Sequence, residues 1–189
     1  MARSGRREHL IHTAIALFSE HGFHATGVDM IMRASGVSKK TMYTYFRSKE
    51  ELVLATLEVY DGIFRQHFVQ AVENASSTPK GKLLAVFDVA QGWFSEDNFY
   101  GCMFINAVGE YATADNPIRK MSQLFKARMY SYMRQLCEDA GAMRPDALAE
   151  ELALLLEGAI VTAQVSRKIQ AAETAKRIAS KLIDSQIQA

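Results

Sequence analysis

Residues 35–46 read Ser-Gly-Val-Ser-Lys-Lys-Thr-Met-Tyr-Thr-Tyr-Phe, and this stretch has the pattern of a tight turn followed by a short helix. Gly36 suits such a turn because it has no Cβ and adopts a positive φ without strain. Val37 is expected to pack between the two helices that the turn joins. Ser38 is a natural N-cap, since its hydroxyl oxygen can accept a bond from an N–H of the first helical turn. We therefore predict a short helix over residues 38–46.

The predicted helix has one apolar side and one polar side. Met42 and Phe46 lie four positions apart, so they share an inward face. The side chains left to face outward are Lys39, Lys40, Thr41, Tyr43, Thr44 and Tyr45. Amines and hydroxyls on an exposed helix can bond the phosphates and base edges of DNA. A solvated helix face is the simpler alternative, although paired outward tyrosines are unusual there.

Two further helices precede this stretch. Residues 6–21 carry an apolar stripe at helical spacing, and Gly22 suits the left-handed cap that ends such a helix. A second, shorter helix is predicted over residues 27–34, with Asp29 in its first turn, where an acid complements the helix dipole. Three short helices with a glycine turn before the third predict a helix-turn-helix with a supporting first helix.

The rest of the chain is also predicted to be helical. A long fourth helix is expected over residues 49–75, where apolar residues recur at helical spacing after Ser48, a suitable N-cap. Further helices are expected at 80–95, 102–114, 117–140, 146–168 and 172–187. No alternating strand pattern and no internal repeat is visible. The sequence predicts an all-α protein with a helix-turn-helix domain at 1–48 and a larger helical domain at 49–189.

Charge is unevenly distributed along the chain. Residues 1–50 hold eight Lys or Arg and four Asp or Glu, a net charge of +4, so the remainder carries −3 of the overall +1. Arg3, Arg6 and Arg7 are expected to act as a basic arm, mainly through electrostatics. This asymmetry favours a polyanionic partner at the N-terminal end, although four charges are a small excess.

The stretch from Phe23 to Leu52 resembles the DNA-binding domain of TetR/AcrR-type transcriptional regulators. The matching residues are Gly22-Phe23, Thr26, Val28, Ile31, Ser35-Gly36-Val37-Ser38, Tyr43-Thr44-Tyr45-Phe46, Lys49 and Leu52. Two positions depart from the family pattern, because Gly27 stands where a second Thr is common and Ser35 where Ala is common. Both changes keep the turn plausible. The remainder of the chain is similar to the family only in helical layout and length.

The resemblance implies a regulator whose third helix enters the major groove of DNA. It places DNA contacts at Thr26, Arg33, Ser38, Lys39, Lys40, Thr41, Tyr43, Thr44, Tyr45 and Lys49. For Lys49, the backbone amides at the start of the fourth helix are expected to favour phosphate as well. The implied protein is a cytoplasmic homodimeric repressor of a palindromic operator, with no cofactor, released by a small, mostly apolar inducer.

Residues 146–165 are apolar around nearly the whole helix, so one face alone cannot bury them. Such a helix lies either at the centre of a monomer or against a partner chain. In the family the last two helices form the dimer interface, which implies a homodimer through residues 146–187. An ordinary monomeric bundle is the alternative.

The middle of the chain is rich in aromatic residues, and the resemblance implies a small-molecule cavity there. The candidate ligand-binding residues are Phe64, Phe87, Gln91, Trp93, Phe104, Asn106, Glu110, Tyr111 and Phe125. Core packing is the simpler reading for the aromatic members. A surface position is an equally simple reading for the polar members, of which Asn106 and Glu110 lie four residues apart on one predicted helix.

Other classes of protein are disfavoured. No nucleophile elbow, phosphate-binding loop, zinc-protease motif or dinucleotide fingerprint occurs, so an enzyme is not expected. No metal cluster and no membrane span is predicted. Two alternatives remain open: a regulator switched by oxidation of Cys102 or Cys137, and a helical protein that acts through protein contacts.

Overall fold

The computed structural model describes residues 3–187, with side chains from residue 5 onward. Within this described range the chain forms nine helices and no strand, which confirms the all-α prediction. The helices are α1 Arg3–His21, α2 Val28–Ser35, α3 Lys39–Tyr45, α4 Lys49–Ala75, α5 Pro79–Phe94, α6 Met103–Glu110, α7 Pro117–Asp139, α8 Pro145–Ser166 and α9 Ala171–Gln186.

Helix α6 is shorter than predicted, because it ends at Glu110 and not at residue 114. The N–H of Tyr111 donates to the Ala107 carbonyl at 2.8 Å and closes the last turn. Beyond it, the Arg119 guanidinium donates to the Ala112 carbonyl at 3.0 Å. Asn116 Oδ1 accepts the Ile118 N–H at 2.8 Å. Residues 111–116 are therefore a connector held by the first turns of α7.

Helix α1 begins earlier than predicted and includes the segment expected to be a basic arm. Arg6 and Arg7 are helical, and the Arg7 guanidinium carbon lies 5.1 Å from the centre of the Phe46 ring. A cation over an aromatic face is attracted by the ring quadrupole. Arg7 thus helps to hold α1 on the end of α3, and the electrostatic role expected for Arg6 and Arg7 remains a prediction. The side chain of Arg3 lies outside the described ones.

The chain divides into two compact units. The first contains the residues up to Ile63 together with Met103–Phe125, and the second contains Phe64–Cys102 and the residues from Lys126 onward. The first unit therefore includes α1 to α3, the first half of α4, α6 and the start of α7. The division at residue 48 remains a prediction.

In the first unit, α1 packs on both α2 and α3. The core between them is built from fully buried apolar side chains, chiefly Phe18, Phe23, Ile31, Met42 and Phe46. The Phe18 and Phe23 rings pack with their centres 5.1 Å apart. Burial of such large side chains supplies most of the stability of a domain this small.

In the second unit, α8 and α9 pack on each other and α5 packs on both. Alanines let the last two helices approach closely, since Ala159, Ala163, Ala175 and Ala179 are all buried. Polar bridges surround this core. Glu73 accepts bonds from Lys82 and, at 2.9 Å, from the Tyr132 hydroxyl, and these bonds lower the pKa of the Glu73 carboxyl.

Candidate nucleic-acid interface

The turn between α2 and α3 has the predicted geometry. Gly36 adopts a left-handed conformation with φ of 65° and ψ of 11°, which glycine accepts without strain. Ser38 is the N-cap of α3, and its hydroxyl oxygen accepts the Thr41 N–H at 3.2 Å. Two local interactions therefore set where α3 begins.

Helix α3 presents the predicted polar face. Met42 and Phe46 are buried, at 0% and 2% exposure, so they anchor α3 to the core. The outward side chains Ser38, Lys39, Lys40, Tyr43 and Thr44 are exposed, and Thr41 and Tyr45 are half-buried. Arg33, in the last turn of α2, is also exposed. The structure thus groups eight of the ten predicted DNA contacts along α3 and the adjoining end of α2.

The hydroxyl groups on this face already have partners within the protein. The Ser38 and Thr41 hydroxyl oxygens lie 2.8 Å apart, and the Thr44 hydroxyl donates to the Lys40 carbonyl at 3.0 Å. A hydroxyl has one donor and two acceptor sites, so Ser38, Thr41 and Thr44 each keep at least one site for a further bond. The bonds also limit rotation of these side chains, which reduces the entropy lost on DNA binding.

The side chain of Thr26 is unavailable for the predicted DNA contact. It is fully buried, and its hydroxyl donates to the Gly22 carbonyl at 2.6 Å, with the Leu17 carbonyl at 3.2 Å. The hydroxyl therefore ties the turn after α1 to the end of that helix.

Lys49 has a partner that the sequence did not predict. Its ammonium group donates to the His24 carbonyl at 3.3 Å, so it bridges the first turn of α4 and the turn between α1 and α2. The predicted help from the amides of α4 is also reduced, because other groups of the protein bond the backbone N–H groups at that helix end. Glu51 Oε2 accepts the Arg47 N–H at 2.5 Å, and the Ser48 hydroxyl accepts the Glu51 N–H at 3.2 Å.

Glu50 completes this arrangement. Its pKa is lowered, chiefly by a hydrogen bond from the backbone at the helix N-terminus and then by the Ser48 hydroxyl. The carboxylate is therefore ionised at neutral pH and competes with phosphate for the same helix end. The α4 amides are therefore less available to phosphate than the sequence predicts.

The predicted ligand-binding residues fall into both compact units. In the first unit, Phe104 stacks on Phe125 with ring centres 3.8 Å apart and a 10° angle between the ring planes. Tyr60 lies 5.9 Å from the Phe104 ring. Phe104 and Phe125 are 1% and 3% exposed, whereas Asn106 is half-buried.

Glu110 and Tyr111 contact the turn between α1 and α2. Glu110 accepts the backbone N–H groups of Phe23 and His24, and its carboxylate also lies beside the His24 ring. The Tyr111 ring stacks on the His24 ring at 4.8 Å. The prediction that Glu110 orients a ligand is corrected by this geometry, since its two carboxylate oxygens serve the turn between α1 and α2. No sequence pattern connects residue 110 with this turn.

In the second unit, Trp93 is surrounded by other aromatic rings. Its ring centre lies 5.0 Å from that of Phe64 and 5.0 Å from that of Phe99. Phe87 is buried in the core at 1% exposure. Gln91, in contrast, lines an open groove of about 780 Å³ between α5 and α9, whose other lining residues are mostly charged. Gln91 therefore faces a polar surface in this unit.

An exposed apolar surface runs along α8 and α9. Leu154 and Val165 are 74% and 76% exposed, and Val161 and Ile178 are 42% and 43% exposed. Leu154 and Ile178 also line a groove of about 380 Å³ between the two helices. Exposed apolar surface of this kind is typical of sites where proteins associate.

Two protein-family models match the chain. The model of bacterial regulatory proteins of the tetR family matches residues 10–56, which include the helix-turn-helix. The model of the tetracyclin repressor-like C-terminal domain matches residues 79–179, more than half of the chain. The chain belongs to the TetR family. As a TetR-family member it is a DNA-binding transcriptional regulator.

Curated TetR-type relatives agree with this assignment. The chain is 30% identical to the transcriptional regulator AcuR of Cereibacter sphaeroides over 82% of this chain and 75% of that protein. It is 24% identical to the repressor NemR of Escherichia coli over 89% of both chains. These relatives are regulators and not enzymes, which supports a non-enzymatic role.

The TetR fold is shared along the whole chain. The crystal structure of SCO4454, a TetR-family regulator from Streptomyces coelicolor, superposes with a TM-score of 0.89 at 25% identity, covering 98% of this chain and 97% of that one. The Escherichia coli NemR structure in its reduced form gives a TM-score of 0.85 at 23% identity, covering 94% and 96%.

Further features bear on the other predictions. Within residues 3–187, no three His, Cys, Asp or Glu side chains are grouped so that they would hold a metal ion. In the same range, no helix is long and apolar enough to cross a membrane. Cys102 and Cys137 are free thiols and both are buried, at 4% and 0% exposure. Burial raises the pKa of the Cys137 thiol to about 11.

Proposed function

We propose that this TetR-family protein is a homodimeric repressor that binds a palindromic operator and is released from it by a small, mostly apolar ligand. The exposed polar face of α3 carries the proposal, because α3 is fixed to the core through Met42 and Phe46 while its lysines and tyrosines face outward. Repression is supported by the relative NemR, which is itself a repressor.

Sequence recognition is assigned to α3. We expect Lys39, Lys40, Thr41 and Thr44 to contact base edges and nearby phosphates, and Tyr43 and Tyr45 to bond phosphates. A single α3 reads only a short half-site, so two copies must lie about 34 Å apart to read successive major grooves. A two-fold dimer therefore requires an operator with two-fold symmetry.

The apolar surface of α8 and α9 is assigned to dimerisation. Leu154 and Val165 would each expose most of their apolar surface to water in a monomer. Burying such side chains against a second copy contributes about 1.5–3 kcal/mol for each fully buried residue. The small residues Gly158 and Ala159 in the same groove allow two helices to approach closely.

A ligand releases DNA only if it binds more tightly to the form of the protein that does not bind DNA. The aromatic residues of the ligand site stay predictions, and within the second unit Phe64 and Trp93 contact each other, as Phe104 and Phe125 do within the first. Aromatic lining favours an apolar or aromatic ligand. Glu110 is withdrawn as the orienting group, whereas Asn106 is retained.

The alternative of a cysteine-switched regulator has less support. A reactive thiol needs exposure and a lowered pKa. Cys137 is fully buried with a raised pKa, and Cys102 is 4% exposed. No contact of the described residues favours this alternative over DNA binding with ligand release.

Selection of DNA by the purified full chain tests the DNA-binding part of the proposal. We expect the protein to enrich an inverted repeat from a randomised pool. Lys40→Ala should weaken binding to the enriched site and make the slope of log K against log salt shallower by about 0.9 for each lost phosphate contact. Lys181→Ala, an exposed lysine of α9, removes the same charge and should leave both unchanged. Equal effects of the two variants would contradict the assignment to α3.

Trp93 is the chain's single tryptophan and offers a test of ligand release. A panel of uncharged aromatic compounds should include some that change Trp93 fluorescence and release the enriched site over the same concentration range. Phe64→Leu should shift both curves together, because Phe64 contacts Trp93. Compounds that release DNA with no change in fluorescence would place the ligand elsewhere.

A further inference from the structure

We propose that Glu110 is a positioning residue for DNA binding, because its carboxylate holds the turn between α1 and α2 onto the end of α6. The inference rests on the DNA-binding part of the proposed function and does not require the ligand. It concerns residues of one compact unit, which contains the reading helices and α6 alike.

The Glu110 carboxylate makes three contacts with two successive residues. Oε1 accepts the Phe23 N–H at 2.8 Å, and Oε2 accepts the His24 N–H at 2.6 Å. The Nδ1 atom of the His24 ring lies 2.8 Å from Oε2, a distance at which an Nδ1–H donates. Bonds to an ionised carboxylate are shorter and stronger than bonds between neutral groups. Both carboxylate oxygens are therefore used by the turn.

Other side chains hold the same turn in place. The Tyr111 ring stacks on the His24 ring at 4.8 Å and meets the Phe23 ring edge-on at 6.1 Å. The Lys49 ammonium group donates to the His24 carbonyl at 3.3 Å. Residues of α6, of its connector and of α4 thus converge on Phe23 and His24.

Gly22 makes room for this arrangement. It adopts φ of 83°, and its N–H donates to the Phe18 carbonyl at 3.0 Å, so the chain turns sharply after α1. A Cβ at this position would lie 3.0 Å from Glu110 Oε1, closer than most real Cβ contacts. The glycine therefore serves both the turn and the close approach of the carboxylate.

The held turn leads directly into the helix-turn-helix. Gly27 is the N-cap of α2 and offers no side-chain bond to that helix, whose first backbone bonds run from Met30 and Ile31 to the Gly27 carbonyl. Helix α2 packs on α3, so a change in the turn changes the setting of the reading helix. A displacement of α6 by about 1 Å would stretch the carboxylate bonds beyond hydrogen-bond range. A movement of α6 would therefore displace α2 and α3 through Glu110.

Glu110→Gln in the full chain separates positioning from simple packing, because the side chain keeps its size. Only one oxygen remains, and the amide NH₂ faces the second N–H donor. We expect affinity for the enriched operator to fall about tenfold. The salt slope should stay unchanged, since Glu110 contacts no phosphate. Hydrogen exchange of the Phe23 and His24 amides in the free protein should rise about tenfold or more. Glu96→Gln, an exposed acid of the second unit with the same charge change, should alter none of these quantities.

The outcomes are distinct. Operator affinity equal to or tighter than that of the wild type overturns the positioning role, even if the two amides exchange faster. If Glu110→Gln fails to fold, His24→Phe serves as the second variant, because it keeps a ring against Tyr111 and removes only the Nδ1 contact. We then expect a severalfold loss of operator affinity. No loss overturns the positioning role of Glu110. If the wild type enriches no DNA sequence, the proposed function itself fails, whereas a normal wild type with a normal Glu110→Gln variant refutes this inference alone.

Discussion

The Lys39 ammonium group lies 3.3 Å from the Asp29 carboxylate, so the first lysine of α3 is paired across the turn of the helix-turn-helix. Both side chains are exposed, at 59% and 79%. Such a surface pair contributes little to stability, but it places a negative charge beside the DNA-reading face. Asp29 therefore limits the attraction of this face for phosphate.

Asp29→Asn should tighten binding to every DNA sequence, because it frees Lys39 and removes a charge that repels phosphate. The slope of log K against log salt should become steeper by about 0.9, the value for one additional phosphate contact. Fluorescence anisotropy with the enriched site and with random DNA measures both quantities. Asp88→Asn is the control, because it breaks the ion pair between Asp88 of α5 and Lys176 of α9 with the same change in net charge. It should leave the salt slope unchanged. Weaker binding by Asp29→Asn would show that the pair orders α3 for DNA.

Gly36→Ala and Gly62→Ala should have effects of opposite sign on the free energy of unfolding. A Cβ at either position would meet no atom within 4 Å outside the adjoining residues and the local helix backbone, so the backbone conformation decides. At Gly36, where φ is 65°, alanine should cost about 1–2 kcal/mol and weaken DNA binding. At Gly62, inside α4, it should add about 0.5–1 kcal/mol. Denaturant unfolding gives both values, and a shared sign would argue against the left-handed turn.

Thr26→Val should lower the free energy of unfolding by about 1–2 kcal/mol, because it leaves the Gly22 carbonyl without its buried donor. DNA affinity at a temperature where the protein is fully folded should change less than twofold. Thr13→Val is a matched control, since its hydroxyl makes the same kind of bond, to the His9 carbonyl, on the exposed side of α1. A large loss of DNA affinity with unchanged stability would restore the DNA contact predicted for Thr26.

Leu154→Glu should convert the dimer to a monomer, because it places a charge in the apolar groove of α8 and α9. Light scattering should then give about the 21.1 kDa mass of one chain, whereas the wild type gives about twice that mass. Affinity for a full palindrome should fall to near that for a half-site. Met143→Glu changes another exposed apolar residue, in the segment between α7 and α8, and should leave the dimer intact. If light scattering gives the mass of a single chain for the wild-type protein, the proposed dimer is wrong.

Cys137 should resist labelling by a thiol reagent at pH 8 until the protein unfolds, since burial raises the pKa of its thiol to about 11. The folded state holds this proton more tightly than the unfolded state, whose thiol has a pKa near 9.0. Stability should therefore fall as the pH rises from about 9 to about 11. Mass spectrometry of the labelled chain measures the first effect. Cys137→Ala should remove the part of the pH dependence of stability that comes from this thiol. Fast labelling of folded Cys137 at pH 8 would instead favour a regulator switched by cysteine oxidation.

The parts of the fold that the sequence predicted well are set by local interactions. Helix α4 occupies 49–75 as expected, because its start depends on Ser48 and its length on a continuous apolar stripe. The inward face of α3 follows in the same way from the spacing of Met42 and Phe46. Each of these features depends on residues close together in the sequence, so predicting it needs no knowledge of tertiary contacts.

The errors have a different origin. The sequence predicts a ligand contact for Glu110, whereas the structure pairs it with Phe23 and His24, 87 and 86 residues away. Local periodicity carries no information about partners at that separation. Thr26 was placed correctly in the sequence pattern, but the direction of its hydroxyl depends on the turn at Gly22. The end of α6 was missed because its connector is fixed by residues of α7.

The contact between Glu110 and the turn after α1 limits how the DNA-reading module can be exchanged between regulators. A chimera that transplants only residues 1–48 leaves Glu110 behind, and the Phe23 and His24 amides then meet whatever side chain the host provides. A transplant that carries α6 with its connector keeps the donors and their acceptor together. A chimera that keeps this contact must therefore include two segments that are separate in the sequence. One contains Gly22 and His24, and the other contains Glu110.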